Sequence, residues 1–229
     1  MALRFIIICL IYLFGGNVCL KAQVESSVKD LPLQLSGSKG SNDMLVIYLS
    51  GDGGWNEFNQ DLVKAFENKG YGVVVLNTRK YFWSEKSPDN FARVIEQISN
   101  FYLKEWNKSS FILVGYSFGA DVASFLPGRI SAELLKKIKK IVLLSPSAST
   151  DFVIRLGDMI GTSENVNRKY KVGPEISKIG LPLICVFGVD EVMTIKKTFQ
   201  KTKIHSIFEL PGDHQYNQDF GLLLKTIGM

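Results

Sequence analysis

The sequence predicts an α/β fold, a mainly parallel sheet with helices on both faces and a minimal cap or none. Three observations predict it. Apolar runs of strand length recur along the chain, separated by segments of helical period. Most runs are continuous rather than alternating, as in strands buried on both faces. The connections are long enough for parallel crossovers.

The elements follow in order. Residues 28–35 alternate weakly and predict an edge strand or hairpin piece. A Gly/Ser/Asn-rich connection leads to the run 44–49, which ends in Ser50-Gly51-Asp52-Gly53-Gly54-Trp55. Residues 59–69 have helical period and stop at Gly70, a plausible C-cap. The strand 71–76 follows, then Arg79-Lys80-Tyr81-Phe82-Trp83 at its carboxyl end. Pro88 opens a long helix with Phe91, Val94, Ile95, Ile98, Tyr102 and Trp106 near one face. Residues 111–114 run into Gly115-Tyr116-Ser117-Phe118-Gly119, and 120–126 suit a helix ended by Pro127-Gly128. Further strands are expected at 141–144, 183–187 and 204–210, with a short helix at the C-terminus. Residues 148–180 are less regular and lie where a cover over the site would be expected.

Residues 1–22 stand apart. A basic start with Arg4, an apolar stretch 5–14, a Gly-Gly-Asn break and Leu20-Lys21-Ala22 read as a signal peptide cleaved after Ala22. Residues 23–229 then form one domain, and the expected location is the periplasm. Removal of 1–22 takes Arg4 and Lys21 and no acid, so the +5 formal charge falls by two. That is too mild to imply nucleic acid as a partner. Cys185 is the one cysteine left, inside an apolar run, and reads as a buried strand residue. No spacing of Cys and His suggests a metal, and no motif calls for a cofactor.

The chemistry gathers at the carboxyl ends of the strands. Gly-x-Ser-x-Gly between an apolar strand and a helix is the setting of a nucleophile elbow, with Ser117 exposed above the sheet. The backbone N–H of Phe118, with those of Asp52 and Gly53 in the glycine-rich turn, can face one oxyanion. A serine hydroxyl must lose its proton as it attacks, and a His oriented by a carboxylate can take it. Of the two histidines, His205 begins a strand, whereas His214 follows Pro211-Gly212-Asp213 beyond one. His214 is therefore the expected base. Asp190 is the favoured acid, Glu191 the alternative, with Asp213 and Asp219 as further carboxylates. The order Ser, acid, His is that of the α/β-hydrolase fold. Trp55, Tyr81, Phe82 and Trp83 are candidate substrate-binding residues; core packing beneath a loop is the other reading of the aromatic run.

The glycine-rich turn, Tyr81-Phe82-Trp83, the elbow through Ala120-Asp121 and Leu210-Pro211-Gly212-Asp213-His214 together resemble the bacterial virulence protein VirJ and the C-terminal domain of AcvB. The resemblance spans nearly the whole chain after residue 22. It implies a small periplasmic α/β-hydrolase. AcvB implies hydrolysis of the aminoacyl ester of lysyl-phosphatidylglycerol, and VirJ implies association with type IV secretion. Two positions depart from the family pattern. A later acid of the carboxylate loop falls at Met193, and the family's Gly-His-His is Asp213-His214-Gln215.

The expected function is thus a serine hydrolase of a carboxylic ester, with an aminoacyl phospholipid at the membrane surface as the implied substrate. Asp52, Asp121 and Glu191 are the acids that would meet a cationic lysyl group. A non-catalytic envelope or type IV secretion-associated binding protein on the same scaffold, with a protein partner, stays open as the other class.

Overall fold

The continuous apolar runs become the centre of one sheet. A computed structural model describes residues 28–37, 40–155, 168–191, 195 and 206–229. The chain divides into two units, residues 1–31 and 32–229. Of the first, residues 28–31 are described; Leu31 N–H donates to the Val28 carbonyl at 3.2 Å and closes a turn. The predicted strand over 28–35 is thereby corrected to Leu33–Ser36 (β1). In the second unit, β1 is followed by β2 (Met44–Leu49), β3 (Gly72–Leu76), β4 (Ser110–Tyr116), β5 (Ile138–Leu144), β6 (Ser149–Thr150), β7 (Tyr170–Lys171), β8 (Leu183–Gly188) and β9 (Ser206–Leu210).

Seven strands pair in the order β1-β3-β2-β4-β5-β8-β9, and β6 with β7 form a separate antiparallel pair. β1 runs antiparallel to β3 at one edge; every other pairing in the large sheet is parallel. Register aligns the carboxyl ends. Leu49 pairs with Gly115, Tyr116 with Leu144, and Gly188 with Leu210. The segments leaving β2, β4, β5, β8 and β9 therefore emerge along one rim, where open α/β sheets hold their ligands.

Alternate side chains fill the two faces. On β2, Val46 and Tyr48 join a core with Phe58, Leu62 and Phe66 of α1 (Glu57–Asn68). Leu223 and Leu224 of the last helix complete that face. Leu45, Ile47 and Leu49 are equally buried and, by the period of two, face the other way. Among the helices, α2 (Thr78–Tyr81) is a single turn and α3 (Pro88–Glu105) is the long one. Ser87 caps α3 by accepting from Asn90 N–H at 3.1 Å, and Pro88 stands in its first turn. Its buried Phe91, Ala92, Ile95, Ile98 and Tyr102 follow the expected stripe. Then come α4 (Phe118–Ala123), α5 (Ala132–Leu135), α6 (Val172–Ile176) and α7 (Phe220–Thr226). Helix α4 is shorter than the 120–126 expected, and the chain beyond it is held by turns such as Leu126 N–H to the Ala123 carbonyl. Cys185 is fully buried on β8 as expected, and burial pushes its thiol up to about 12. The expected cover over 148–180 is described only at its two ends, because 156–167 lie outside the described residues. No helix among the described residues is long and apolar enough to cross a membrane.

Candidate active site

The sharp turn between β4 and α4 sets the position of Ser117. Its backbone has φ 53° and ψ −122°, a conformation non-glycine residues avoid and which costs about 1–3 kcal/mol. Three hydrogen bonds hold it there. Ser117 N–H donates to the Leu144 carbonyl at 2.8 Å, and the Ser117 carbonyl accepts from Ala120 at 2.8 Å and Asp121 at 3.1 Å. The flanking glycines are required by contact. A Cβ at Gly115 would lie 2.4 Å from the Gly119 carbonyl oxygen, and one at Gly119 would lie 2.2 Å from that of Leu49. The elbow is thus wedged against the end of β2.

The glycine-rich turn stands beside it. A Cβ at Gly51 would come within 3.4 Å of the Ser117 Cβ. Gly54 N–H closes the turn on the Gly51 carbonyl at 2.9 Å. The hydroxyl of Thr78 donates to the carbonyls of Ser50 and Gly51, both at 2.8 Å, and fixes the turn to α2. The N–H of Phe118 opens α4, where no carbonyl of the preceding helical turn exists to receive it. Asp52 and Gly53 lie in the turn between Gly51 and Gly54.

On the far side of the elbow, the loops after β8 and β9 are pressed together. A Cβ at Gly188 would sit 2.1 Å from the Asp213 carbonyl oxygen. Asp190 N–H donates to the Gly212 carbonyl at 3.0 Å. This pairing turns the two neighbouring carboxylates in different directions. Asp190 is exposed, while Glu191 turns inward and meets Nδ1 of His214 with Oε1. Its Oε2 accepts from Ser145 Oγ at 2.9 Å and from Gly188 N–H at 2.8 Å. The expectation that favoured Asp190 is corrected to Glu191. Asp213 accepts from Gln215 N–H, and Asp219 caps α7 through Leu222 N–H, so both serve local backbone. His205 and Met193 lie outside the described residues.

The His214 ring lies against that of Tyr116, the residue before Ser117, with centroids 5.1 Å apart. The Tyr116 hydroxyl donates to the His214 carbonyl at 3.1 Å. Burial, aided by the charges of Glu191, Asp52 and Asp213, holds that phenol well above its ordinary range. Tyr116 therefore stays a neutral donor. Ser145 also bonds the buried Tyr216 hydroxyl. Neither Ser145 nor Tyr216 stands out in the sequence; Ser145 has φ 49°, which composition cannot reveal.

The aromatic candidates separate. Phe82 is fully buried, with ring centroids 5.2 Å from both Phe91 and Phe118, so its expected substrate role is corrected to core packing. Tyr81 is half-buried against Phe82. Trp83 is 61% exposed and lines a groove with Trp55 and Gly53. Asp121 is buried beneath the elbow, where its carboxylate accepts from both the N–H and the hydroxyl of Ser147. Burial raises its carboxyl to about 7, against the opposing pull of Ser147, Arg168 and His214. Neither Asp121 nor Glu191 is free to meet a cationic substrate; of the three acids considered for that purpose, Asp52 remains. Among the described residues, no group of three His, Cys, Asp or Glu could hold a metal ion.

A mainly parallel sheet in this order, with a strained serine at the rim and an acid–histidine pair on the last two loops, is an α/β-hydrolase scaffold. The chain belongs to the bacterial virulence protein (VirJ) family, whose model matches residues 43–228. No curated protein matches it. Among solved structures, it is similar to Est1E from Butyrivibrio proteoclasticus, at TM-score 0.60 and 14% identity over 85% of this chain and 89% of that one. A lipase-esterase related protein from Clostridium acetobutylicum gives TM-score 0.58 and 15% identity over 86% and 98%. The esterase domain of a Rhodothermus marinus protein gives 0.57 and 12% over 85% and 88%. At such identities the likeness is one of fold.

Proposed function

We propose that the chain is a periplasmic serine hydrolase of carboxylic esters, with Ser117 as nucleophile, His214 as general base and Glu191 as the orienting acid. One observation carries this reading: Glu191 engages Nδ1 of His214 while that ring packs beside the elbow. With Nδ1–H held by Glu191, Nε2 is left as the basic nitrogen. Ser117 Oγ attacks the ester carbonyl and its proton passes to Nε2. The N–H of Phe118, with that of Asp52 or Gly53, stabilises the oxyanion. Collapse expels the alcohol, which takes the proton from Nε2. Water, deprotonated by His214, then cleaves the acyl-enzyme and returns Ser117.

A fluorophosphonate probe tests the first step. Folded protein should be labelled at Ser117, and Ser117→Ala should not react. Labelling that is absent from the wild type, or unchanged in the variant, defeats the nucleophile assignment.

The substrate we favour is an aminoacyl phospholipid such as lysyl-phosphatidylglycerol. Membership in the VirJ family supports it through the resemblance to AcvB, and Asp52 supplies a carboxylate beside the elbow. Protein incubated with lysyl-phosphatidylglycerol should release lysine, and Ser117→Ala should not. Residues 1–22 are proposed to be removed on export. Mass spectrometry of protein from the periplasm should then find Gln23 at the N-terminus.

A further inference from the structure

The groove beside the glycine-rich turn is lined by Gly53, Trp55, Arg79, Lys80 and Trp83, and measures about 670 Å³, within the range of small-molecule sites. It lies where adjacent parallel strands β2 and β3 end, so it shares its rim with Ser117. Its charge is one-sided. Two cations and no carboxylate line it. Arg79 and Lys80 pair with no carboxylate among the described residues, whereas nearby Lys169 pairs with Glu85 at 3.8 Å and Lys86 lies over the Tyr81 ring. Arg79 is also held in place. Gly54, at φ 70°, passes so close beneath it that a Cβ there would meet the Arg79 Cβ at 3.1 Å and Cδ at 3.4 Å. The guanidinium stem is thus laid across the turn and half-buried. Two indoles flank the cations, one partly buried and one 61% exposed. Unpaired cations beside amphipathic rings, next to an oxyanion turn, suit a phosphate borne by the leaving side of the ester.

We infer that this groove binds the phosphate group of the ester substrate, with Arg79 and Lys80 as its charge partners and Trp55 and Trp83 as its walls. The inference rests on the ester-hydrolase reading for its place in the reaction, but the binding itself needs no catalysis. Gly53 belongs to both the groove and the turn, so phosphate held here places the acyl carbonyl toward Ser117. Subsite binding of this kind appears in kcat/KM rather than in acyl transfer alone.

Two measurements test it. Trp55 and Trp83 are two of the three tryptophans, so intrinsic fluorescence reports the groove directly. Ser117→Ala protein is titrated with glycerol 3-phosphate, and with phosphatidylcholine vesicles made with or without an anionic phospholipid. A saturable response to glycerol 3-phosphate assigns the site to the phosphate itself; a response to anionic vesicles alone assigns it to a lipid headgroup. Either should weaken at least tenfold in Arg79→Gln/Lys80→Gln and persist in Arg79→Lys/Lys80→Arg. No response to either probe, or equal responses in the glutamine variant, overturns the inference. In the Ser117 enzyme, the same glutamine substitutions should lower the preference for a phosphate-bearing ester over its neutral analogue by about tenfold. Fluorophosphonate labelling of Ser117 separates the two readings: labelled protein that binds neither probe loses the groove and keeps the hydrolase.

Discussion

Glu191 meets His214 with one carboxylate oxygen only, Oε1 on Nδ1. The other oxygen is occupied by Ser145 and Gly188. A carboxylate fixed at both oxygens fixes the imidazole's tautomer and ring angle together. Glu191→Gln places an amide on Nδ1 and favours the wrong tautomer. We expect kcat on p-nitrophenyl acetate to fall about 10³–10⁴-fold, with little change in folding. Asp190→Asn should stay within about twofold, because Asp190 is exposed and its N–H, not its side chain, makes the contact with Gly212. The reverse pattern would return the acid role to Asp190.

Ser145 is fully buried and reaches His214 only through Glu191, so in the proposed reaction it is a positioning residue. Ser145→Ala removes one hydrogen bond to a charged group, about 1.5 kcal/mol. That corresponds to about a tenfold loss in kcat, with KM unchanged. Ser145→Gly, which accepts φ 49° without strain, should lose as much as Ser145→Ala, so that the loss follows the hydroxyl and not the backbone. A change in KM with kcat intact would mean that Ser145 lines the substrate path instead.

What the sequence made legible was local. The strands β2, β4 and β8 were visible because continuous apolar runs need no partner to be recognised, and Gly115 and Gly119 announced the elbow by spacing. Choosing between Asp190 and Glu191 was not possible on the same grounds. They are adjacent, and which one turns inward depends on Asp190 N–H reaching Gly212, a contact across two loops far apart in sequence. The same limit applies to Tyr81, Phe82 and Trp83. A single helical turn points three neighbours in three directions, and only packing against Phe91 and Phe118 shows that Phe82 faces inward. Asp121 was read from composition as a charge for a cationic substrate; its burial under Ser147 is a tertiary fact.

The wedge at the elbow predicts a steep cost for one methyl group. In Gly119→Ala the added Cβ would lie 2.2 Å from the Leu49 carbonyl oxygen and 2.4 Å from that of Ser50. Both are backbone atoms of β2 and its turn, so a central strand must move. We expect a loss of about 3 kcal/mol or more in urea unfolding. Gly128→Ala is the internal control, since a Cβ there meets nothing within 4 Å, and it should be neutral within about 0.5 kcal/mol. Equal stability of the two variants would mean that the turn is not packed against β2.

Asp121 predicts a pH dependence with a definite sign. Burial raises its carboxyl from 3.8 to about 7, while Ser147, Arg168 and His214 oppose the shift. The folded state therefore binds the proton more tightly than the unfolded chain. The stability this contributes is complete below 3.8 and is lost as pH rises through about 7. Above that, a charge is buried, offset by the two Ser147 donors and by the nearby Arg168 and His214. Asp121→Asn keeps an acceptor for Ser147 N–H and titrates nowhere. Its stability relative to the wild type should therefore rise between pH 5 and pH 8, by roughly 2–4 kcal/mol at most. Thermal unfolding of both proteins across that interval reads the difference directly. A difference that stays flat, or falls, would show that the Asp121 carboxyl is already ionised at pH 5 and that its bonds to Ser147 outweigh its burial.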